Sequence, residues 1–188
     1  ISVDKLKLLK PIDFYLHTLF IKYGFENIKD LNQLLKAQSG KQLFSKTHRL
    51  VKDRSNWLLI EFIGNNDKIY KIDRNIRNIQ TPISLKFGIK TKLKIDSRKV
   101  ACFNKKLLKF PLTLRKWNKS DYFYPNGLNG KKKLSKYFKD EKFSLIDKEN
   151  QWILCSGDDI IWIIGKRVDS RYSLDENELG KWLIKYDV

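Results

Sequence analysis

Apolar residues in this chain change their spacing once, at Ser39-Gly40, and that switch limits what the chain can fold into. Before it, Leu6, Leu9, Phe14, Leu16, Leu19 and Phe20 recur at helical intervals among lysines. Pro11 suits the first position of a helix, where its missing N–H is no loss, and Gly24 suits the end. Asn27 or Asp30 can cap a second helix carrying Ile28, Leu31, Leu34 and Leu35, with Gly40 as its left-handed terminator. After the switch, residues 41–45, 48–54 and 57–63 read as short strands. Asn65-Asn66-Asp67 reads as a turn, followed by a strand at 68–72. Between 83 and 94, Leu85, Phe87 and Ile89 alternate with Lys86, Lys90 and Lys92, the pattern of a half-buried strand.

The segment from Leu107 to Pro111 reads as a join, so residues 1–110 and 111–188 are expected to form two domains. In the second, a strand at 112–117 leads into a Gly-punctuated loop at 120–130 and a short helix at 133–141. A hairpin follows, with strands at 152–155 and 160–164 around Gly157-Asp158-Asp159, and a last strand at 179–186. The fold class expected is α+β: a small helical and hairpin domain, then a mostly β domain, layered like a sandwich, with one short helix.

Thirty-nine Lys and Arg oppose twenty-one Asp and Glu, a net charge of +18. Such an excess opposes compaction, and a polyanion is the usual partner that makes it useful. An AT-rich genome also enriches lysine, but it does not predict segregation. Residues 101–142 hold twelve basic and three acidic side chains, whereas 143–188 hold six basic and nine acidic. Cys102 and Cys155 are far apart, and two Cys with two distant His do not make a zinc site, so both are expected as packed free thiols. No run is long and apolar enough for a membrane span and no signal peptide opens the chain, so the expected compartment is the cytoplasm, with no membrane partner. The chain starts at Ile1 and contains no Met, which reads as processing or as the tail of something longer. Whether it forms a homodimer is left open.

Candidate sites follow from the basic clusters. Lys131, Lys132 and Lys133 sit between the Gly-rich loop and a helix start, where clustered ammonium groups suit an RNA phosphate. Arg115 and Lys116 beside Trp117, with Tyr122 and Tyr124, interleave cations and aromatics as nucleic-acid sites do. Trp117, Phe123, Phe138 and Trp162 are expected to be core residues. His48 with Arg49, Lys52, Asp53 and Arg54 forms a second basic cluster, with the histidine packed or on a phosphate rather than catalytic. Ser39-Gly40-Lys41-Gln42 lacks the frame of a phosphate loop. Asp121, Asp140 and Glu141 fall at a loop and a helix end, not on the rigid sheet that a metal-dependent nuclease needs. No catalytic residue and no metal site are assigned.

The run Asp121-Tyr-Phe-Tyr-Pro125-Asn-Gly127-Leu-Asn-Gly130, followed by Lys132-Lys-Leu-Ser135 and Phe138, resembles the C-terminal domain of the tRNA(Ile)-lysidine synthase family. Trp162, Gly165, Arg167 and Asp169 match that family's Trp-x-x-Gly-x-Arg-x-Asp. Ser120 replaces a Gly, Leu128 a Met, and Lys136 an Asp. The likeness covers about residues 112–184, and residues 11–62 are similar to the family's middle domain. The resemblance implies an enzyme that uses ATP, Mg and L-lysine to convert cytidine of a CAU anticodon in tRNA(Ile) to lysidine. It implies that this chemistry resides in an N-terminal ATP-pyrophosphatase domain whose Ser-Gly-Gly-x-Asp-Ser loop does not occur here. This chain would then position tRNA, be inactive alone and hold no cofactor, with Arg167 added to the phosphate contacts. The alternatives are a free-standing RNA-binding adaptor and an independent nuclease.

Overall fold

The hydroxyl of Ser2 opens the first helix by accepting the Lys5 N–H, and local signals of this kind set most of the helix ends. The computed structural model describes residues 1–62, 68–89, 96, 98–128, 130–174 and 180–187. The chain divides into two compact units, Ile1–Asn66 and Asp67–Val188.

The first unit holds α1 (Val3–Lys7), α2 (Ile12–Phe20) and α3 (Ile28–Lys36), then β1 (Gln42–Phe44), β2 (His48–Asp53) and β3 (Asn56–Glu61). Pro11 stands at the N-cap of α2, one position before the expected one, and Asn27 caps α3 by accepting the Lys29 N–H. A 3-10 turn at Ile21–Tyr23 extends α2 and ends at Gly24, whose φ of +81° requires glycine. A side chain there would also meet Ser45 at 3.1 Å. The expected end of α3 at Gly40 is corrected: the helix stops at Lys36, and Gly40 instead turns the chain into β1. The strands form one antiparallel sheet in the order β1-β2-β3. Leu16, Phe20, Leu31, Leu34, Leu50 and Trp57 form the centre of the core.

The second unit contains β4 (Tyr70–Ile72), β5 (Asn78–Ile79), β6 (Ser84–Phe87), β7 (Val100–Asn104) and β8 (Leu112–Lys116). There follow β9 (Tyr122–Phe123), β10 (Lys132–Lys133), α4 (Leu134–Asp140) and α5 (Leu145–Asn150). The chain closes with β11 (Trp152–Ser156), β12 (Asp159–Ile163), β13 (Arg167–Val168) and β14 (Lys181–Asp187). One antiparallel sheet runs β13-β12-β11-β8-β4 and a second runs β5-β6-β14-β7. Their inner faces share a core of Phe87, Phe103, Leu114, Leu154, Trp162 and Ile184, among others. The outer face of the five-stranded sheet is covered by α4, where Ile153, Cys155 and Ile163 meet Phe123, Leu134 and Phe138.

This double burial explains the apolar runs of β11 and β12, because both faces of each strand are covered. Between Leu154 and Cys155 the register slips, so that Ile161 is an extra residue opposite β11. The bulge turns Ile161 and Trp162 toward the same core, which strict alternation forbids.

The sandwich-like α+β reading agrees with this architecture, but the boundary near residue 110 does not. β4 pairs with β8 across that point, β14 pairs with β6 and β7, and Phe110 packs against Trp182 at 5.6 Å. The reason is that strands before the expected join are the missing partners of strands after it. The α5 helix was not expected. Its signal is Ser144-x-x-Asp147, a reciprocal capping box. The expected turn at Asn65-Asn66-Asp67 lies outside the described residues, as do positions 90–94 of the alternating segment and residue 179 of the last strand.

Ile184, fully buried and paired with both Phe87 and Ala101, tests the sandwich. Ile184→Ala is expected to lower stability by about 2–5 kcal/mol in urea unfolding. A loss under about 1 kcal/mol would contradict a packed two-sheet core at that position.

Candidate nucleic-acid interface

Two carboxylates fix the loop that precedes the lysine triplet. On one side the Arg115 guanidinium donates Nη1 to Asp121 Oδ2 and Nη2 to Asp121 Oδ1, both at 2.8 Å. Asp121 also accepts the Asn118 N–H at 2.6 Å, and its carbonyl accepts the N–H of Leu134, the first residue of α4. On the other side Asp169, fully buried, accepts the Tyr124 N–H through Oδ2 and the Arg171 backbone N–H through Oδ1, both at 2.9 Å. Arg171 adds Nε and Nη2 contacts to Asp169 at 3.0 Å, pairs with Asp159 at 2.9 Å and lies 4.0 Å over the Tyr124 ring. Tyr172 donates its hydroxyl to Asp159, and burial together with that carboxylate pushes its phenol up to about 12.

Between these anchors runs β9, and Lys132 and Lys133 form β10 by pairing with its Phe123 and Tyr122. An extended strand alternates its side chains, which divides the triplet. Lys132 turns inward to Asp140 at 2.8 Å and lies 5.7 Å over Tyr137. Lys131 and Lys133 are exposed, with Lys131 4.8 Å over the ring of Tyr122. Lys136, on the exposed side of α4, joins them around an open cleft of ≈ 470 Å³ that Leu128 and Gly130 also line. The cleft has one acidic lining residue, Asp140, already paired with Lys132. Such a surface attracts a polyanion and can track phosphates with mobile ammonium groups.

The other basic candidates are dispersed. Arg115 was expected on a phosphate, but its guanidinium is committed to Asp121 and to the Lys116 carbonyl and is largely buried, so its role is to anchor the loop. Lys116 sits 4.3 Å over Trp152, where burial lowers its pKa. Arg167, exposed on the edge strand β13, interacts with the Tyr137 hydroxyl of α4. Lys52, also expected on a phosphate, instead donates its ammonium to the Leu35 carbonyl at 2.7 Å, satisfying the end of α3. Arg54 occupies a left-handed turn position, and Arg49 lies across from Phe44 on the outer face of its sheet. His48 is packed, 5.0 Å from Tyr23 and bonded to Thr47. Phe123, Phe138 and Trp162 are fully buried as expected. Trp117 is half-buried against Phe138 and donates its indole N–H to the Lys148 carbonyl at 2.6 Å.

Comparison with known proteins gives two family matches. Residues 1–62 match the TilS substrate binding domain, and residues 112–185 match the TilS substrate C-terminal domain. The chain carries two TilS domains. It is 37% identical over 184 residues to the tRNA(Ile)-lysidine synthase of Parabacteroides distasonis, covering 94% of this chain and 42% of that protein. It is 39% identical over 170 residues to the enzyme of the same name from Bacteroides thetaiotaomicron, covering 88% and 38%. The chain thus spans well under half the length of these relatives. A crystal structure of a TilS C-terminal domain superposes with a TM-score of 0.53 at 18% identity, over 64% of this chain and 98% of that one. That likeness is one of fold.

The TilS C-terminal match contains the lysine triplet, Arg115–Asp121 and Asp169–Arg171 together. Residues 67–111 lie outside both family matches, yet they supply β4 to β7, without which neither sheet is complete. Reading the sequence for cations singled out Lys131 and Lys133 but passed over Lys136, which lines the same cleft, and the anchoring pair Asp169–Arg171. The Asp-x-Arg spacing alone does not reveal that Asp169 is buried. Among the described residues no group of three His, Cys, Asp or Glu is placed to hold a metal ion, and no helix is long and apolar enough to cross a membrane.

Asp169→Ala leaves Arg171 and the Tyr124 N–H without their shared acceptor. We expect a loss of about 3 kcal/mol in urea unfolding and faster amide exchange at Tyr124 and Ser170. Unchanged exchange would show that Asp169 does not hold the loop. Burial pushes the Cys155 thiol up to about 11. Its folded-state pKa exceeds the unfolded value, so this contribution to stability is complete below the unfolded pKa and is lost as pH rises toward 11. Both cysteines should resist a disulfide-exchange reagent in the native protein near neutral pH and react once it is unfolded. Rapid native labelling of Cys155 would contradict its buried place.

Proposed function

We propose that this chain is the tRNA-binding part of a tRNA(Ile)-lysidine synthase and acts by orientation. The observation that carries the reading is the cleft of Lys131, Lys133 and Lys136, built by two internal ion pairs within the TilS C-terminal match. The relatives are named for lysidine synthesis on tRNA(Ile), and the family resemblance adds the modified base, a cytidine of the CAU anticodon. ATP, Mg and L-lysine would be handled by the N-terminal domain of the whole enzyme, in the cytoplasm. The Ser-Gly-Gly-x-Asp-Ser loop that the family resemblance assigns to that domain does not occur in this sequence.

Gripping the tRNA body at a second place converts a loose encounter into a positioned one, lowering the entropy cost of bringing the anticodon to a distant reactive site. Exposed lysines suit this role because phosphates fix register without reading sequence. Arg167 adds charge on the α4 side of the sheet and Lys116 on its opposite face beside Trp152, and Arg49 and Arg54 add it on the first unit.

Fluorescence anisotropy across a salt series tests the reading, with the CAU isoleucine tRNA, the CAU methionine tRNA and an RNA duplex. Lys131→Ala, Lys133→Ala and Lys136→Ala should each weaken binding and flatten the log–log salt slope by about one. Lys132→Ala should change the slope less, because its charge already faces Asp140. An unchanged slope in the triple variant of Lys131, Lys133 and Lys136 would refute the patch. The chain alone is expected to incorporate no lysine in the presence of ATP and tRNA, and incorporation would overturn the assignment of the chemistry to another domain.

A further inference from the structure

The outer face of the first sheet carries two phenylalanines that the core does not use. Phe44 is 63% exposed and Phe62 48% exposed. Their rings are parallel within 1°, with centroids 6.2 Å apart. Phe44 lies on β1 and Phe62 follows β3, so the rings approach one another across the intervening strand β2. Phe62 is anchored there by its N–H, which donates to the Thr47 carbonyl at 2.8 Å. The core is on the opposite face, where Leu50 and Trp57 are buried against α2 and α3.

Arg49, whose Nη1 donates to Gln42 Oε1 at 3.4 Å, stands directly opposite Phe44 in the register, and in the next pair opposite Ile60. Strand alternation therefore puts Phe44, Arg49 and Ile60 on one face. Lys46 is exposed in the turn between β1 and β2, two residues beyond Phe44. Of the two acidic residues nearest in sequence, one is on the core face and the other is four residues from Arg49 along β2. Glu61 pairs with His48, which packs toward Tyr23 on the core side, and Asp53 closes the far end of β2.

An exposed apolar pair of this kind is normally avoided on a soluble surface. Its combination with cations narrows the occupant. An aliphatic partner would gain nothing from Arg49 and Lys46, whereas a nucleotide offers a π-face to the rings and a phosphate to the cations. We propose that Phe44 and Phe62 form a stacking platform for an unpaired RNA base, with Arg49 and Lys46 holding its phosphate. A base inside a duplex is already stacked and cannot use the platform, so the site reads unpaired segments of an RNA. This rests on the RNA-binding reading above but concerns a different surface and a different contact from the lysine cleft.

The test compares the whole chain with its Phe44→Ala/Phe62→Ala variant. Probes are a short unstructured RNA carrying 2-aminopurine and a blunt RNA duplex of the same sequence. The platform predicts roughly tenfold weaker binding of the unstructured RNA, from stacking of about one base, with duplex binding unchanged. It also predicts loss of the 2-aminopurine quenching that stacking produces. Phe44→Trp/Phe62→Trp should restore both, which separates stacking from a fold defect. Equal binding of the unstructured RNA by the wild type and the alanine variant would overturn the platform while leaving the lysine cleft standing. A change confined to self-association in sedimentation would overturn it in favour of a protein contact. Failure of the wild type to bind any RNA would overturn both readings.

Discussion

Asp169 is an anion with no exposure to water, and the candidate interface is arranged around what it costs to keep it there. A buried carboxylate is tolerated only when its lone pairs are met by donors. Here two backbone N–H groups and the Arg171 guanidinium meet them. One of those N–H groups belongs to Tyr124, forty-five residues earlier in the chain. Satisfying a single charge thus ties the start of the Gly-rich loop to the turn after β13. The Pro125 and Asp169 backbones form an isolated bridge at the same place. Arg115 and Asp121 repeat the device three residues before Tyr124, where the loop begins.

These pairs do more than stabilise. A loop containing several glycines and a proline has many conformations, and lysines at its end would otherwise occupy no particular place. With residues 121–124 fixed to the five-stranded sheet and the Leu134 N–H held by the Asp121 carbonyl, β10 pairs with β9 in a defined register, and Lys131, Lys133 and Lys136 line one cleft. The sheet itself is rigid because it is buried on both sides, by the second sheet and by α4. The Ile161 bulge lets β12 feed both cores at once. Flexible ammonium groups on a fixed base can follow phosphates without a large ordering cost at the backbone.

The basic residues consequently fall into two physical classes. Arg115, Lys52 and Arg171 have their donors occupied by protein acceptors, so their charge supports the fold. Lys131, Lys133 and Lys136 keep theirs toward water. Composition cannot make that distinction, because an internal ion pair and a phosphate contact need the same side chain. The difference lies in whether a carboxylate or carbonyl happens to be within reach.

Much of the first unit was legible in the sequence. The change of apolar period, the Asn27 cap and the left-handed Gly24 are local signals, and local backbone energetics act on them regardless of the rest of the chain. The loop, the hairpin at Gly157 and the central aromatics of the second unit were legible for the same reason, as were the TilS-like motifs. Three things were decided only by the tertiary structure. The division at residue 66 instead of 110 depends on β4 pairing with β8 and on β14 entering between β6 and β7. The separation of Lys132 from its neighbours depends on β10 being extended and on Asp140 lying across from it. The burial of Asp169 depends on Tyr124 arriving from elsewhere. Sequence by itself determined which elements form, since propensity and periodicity are properties of neighbouring residues. Which elements pair, and which charges remain available to a ligand, depends on contacts between residues far apart, and only the assembled fold supplies those.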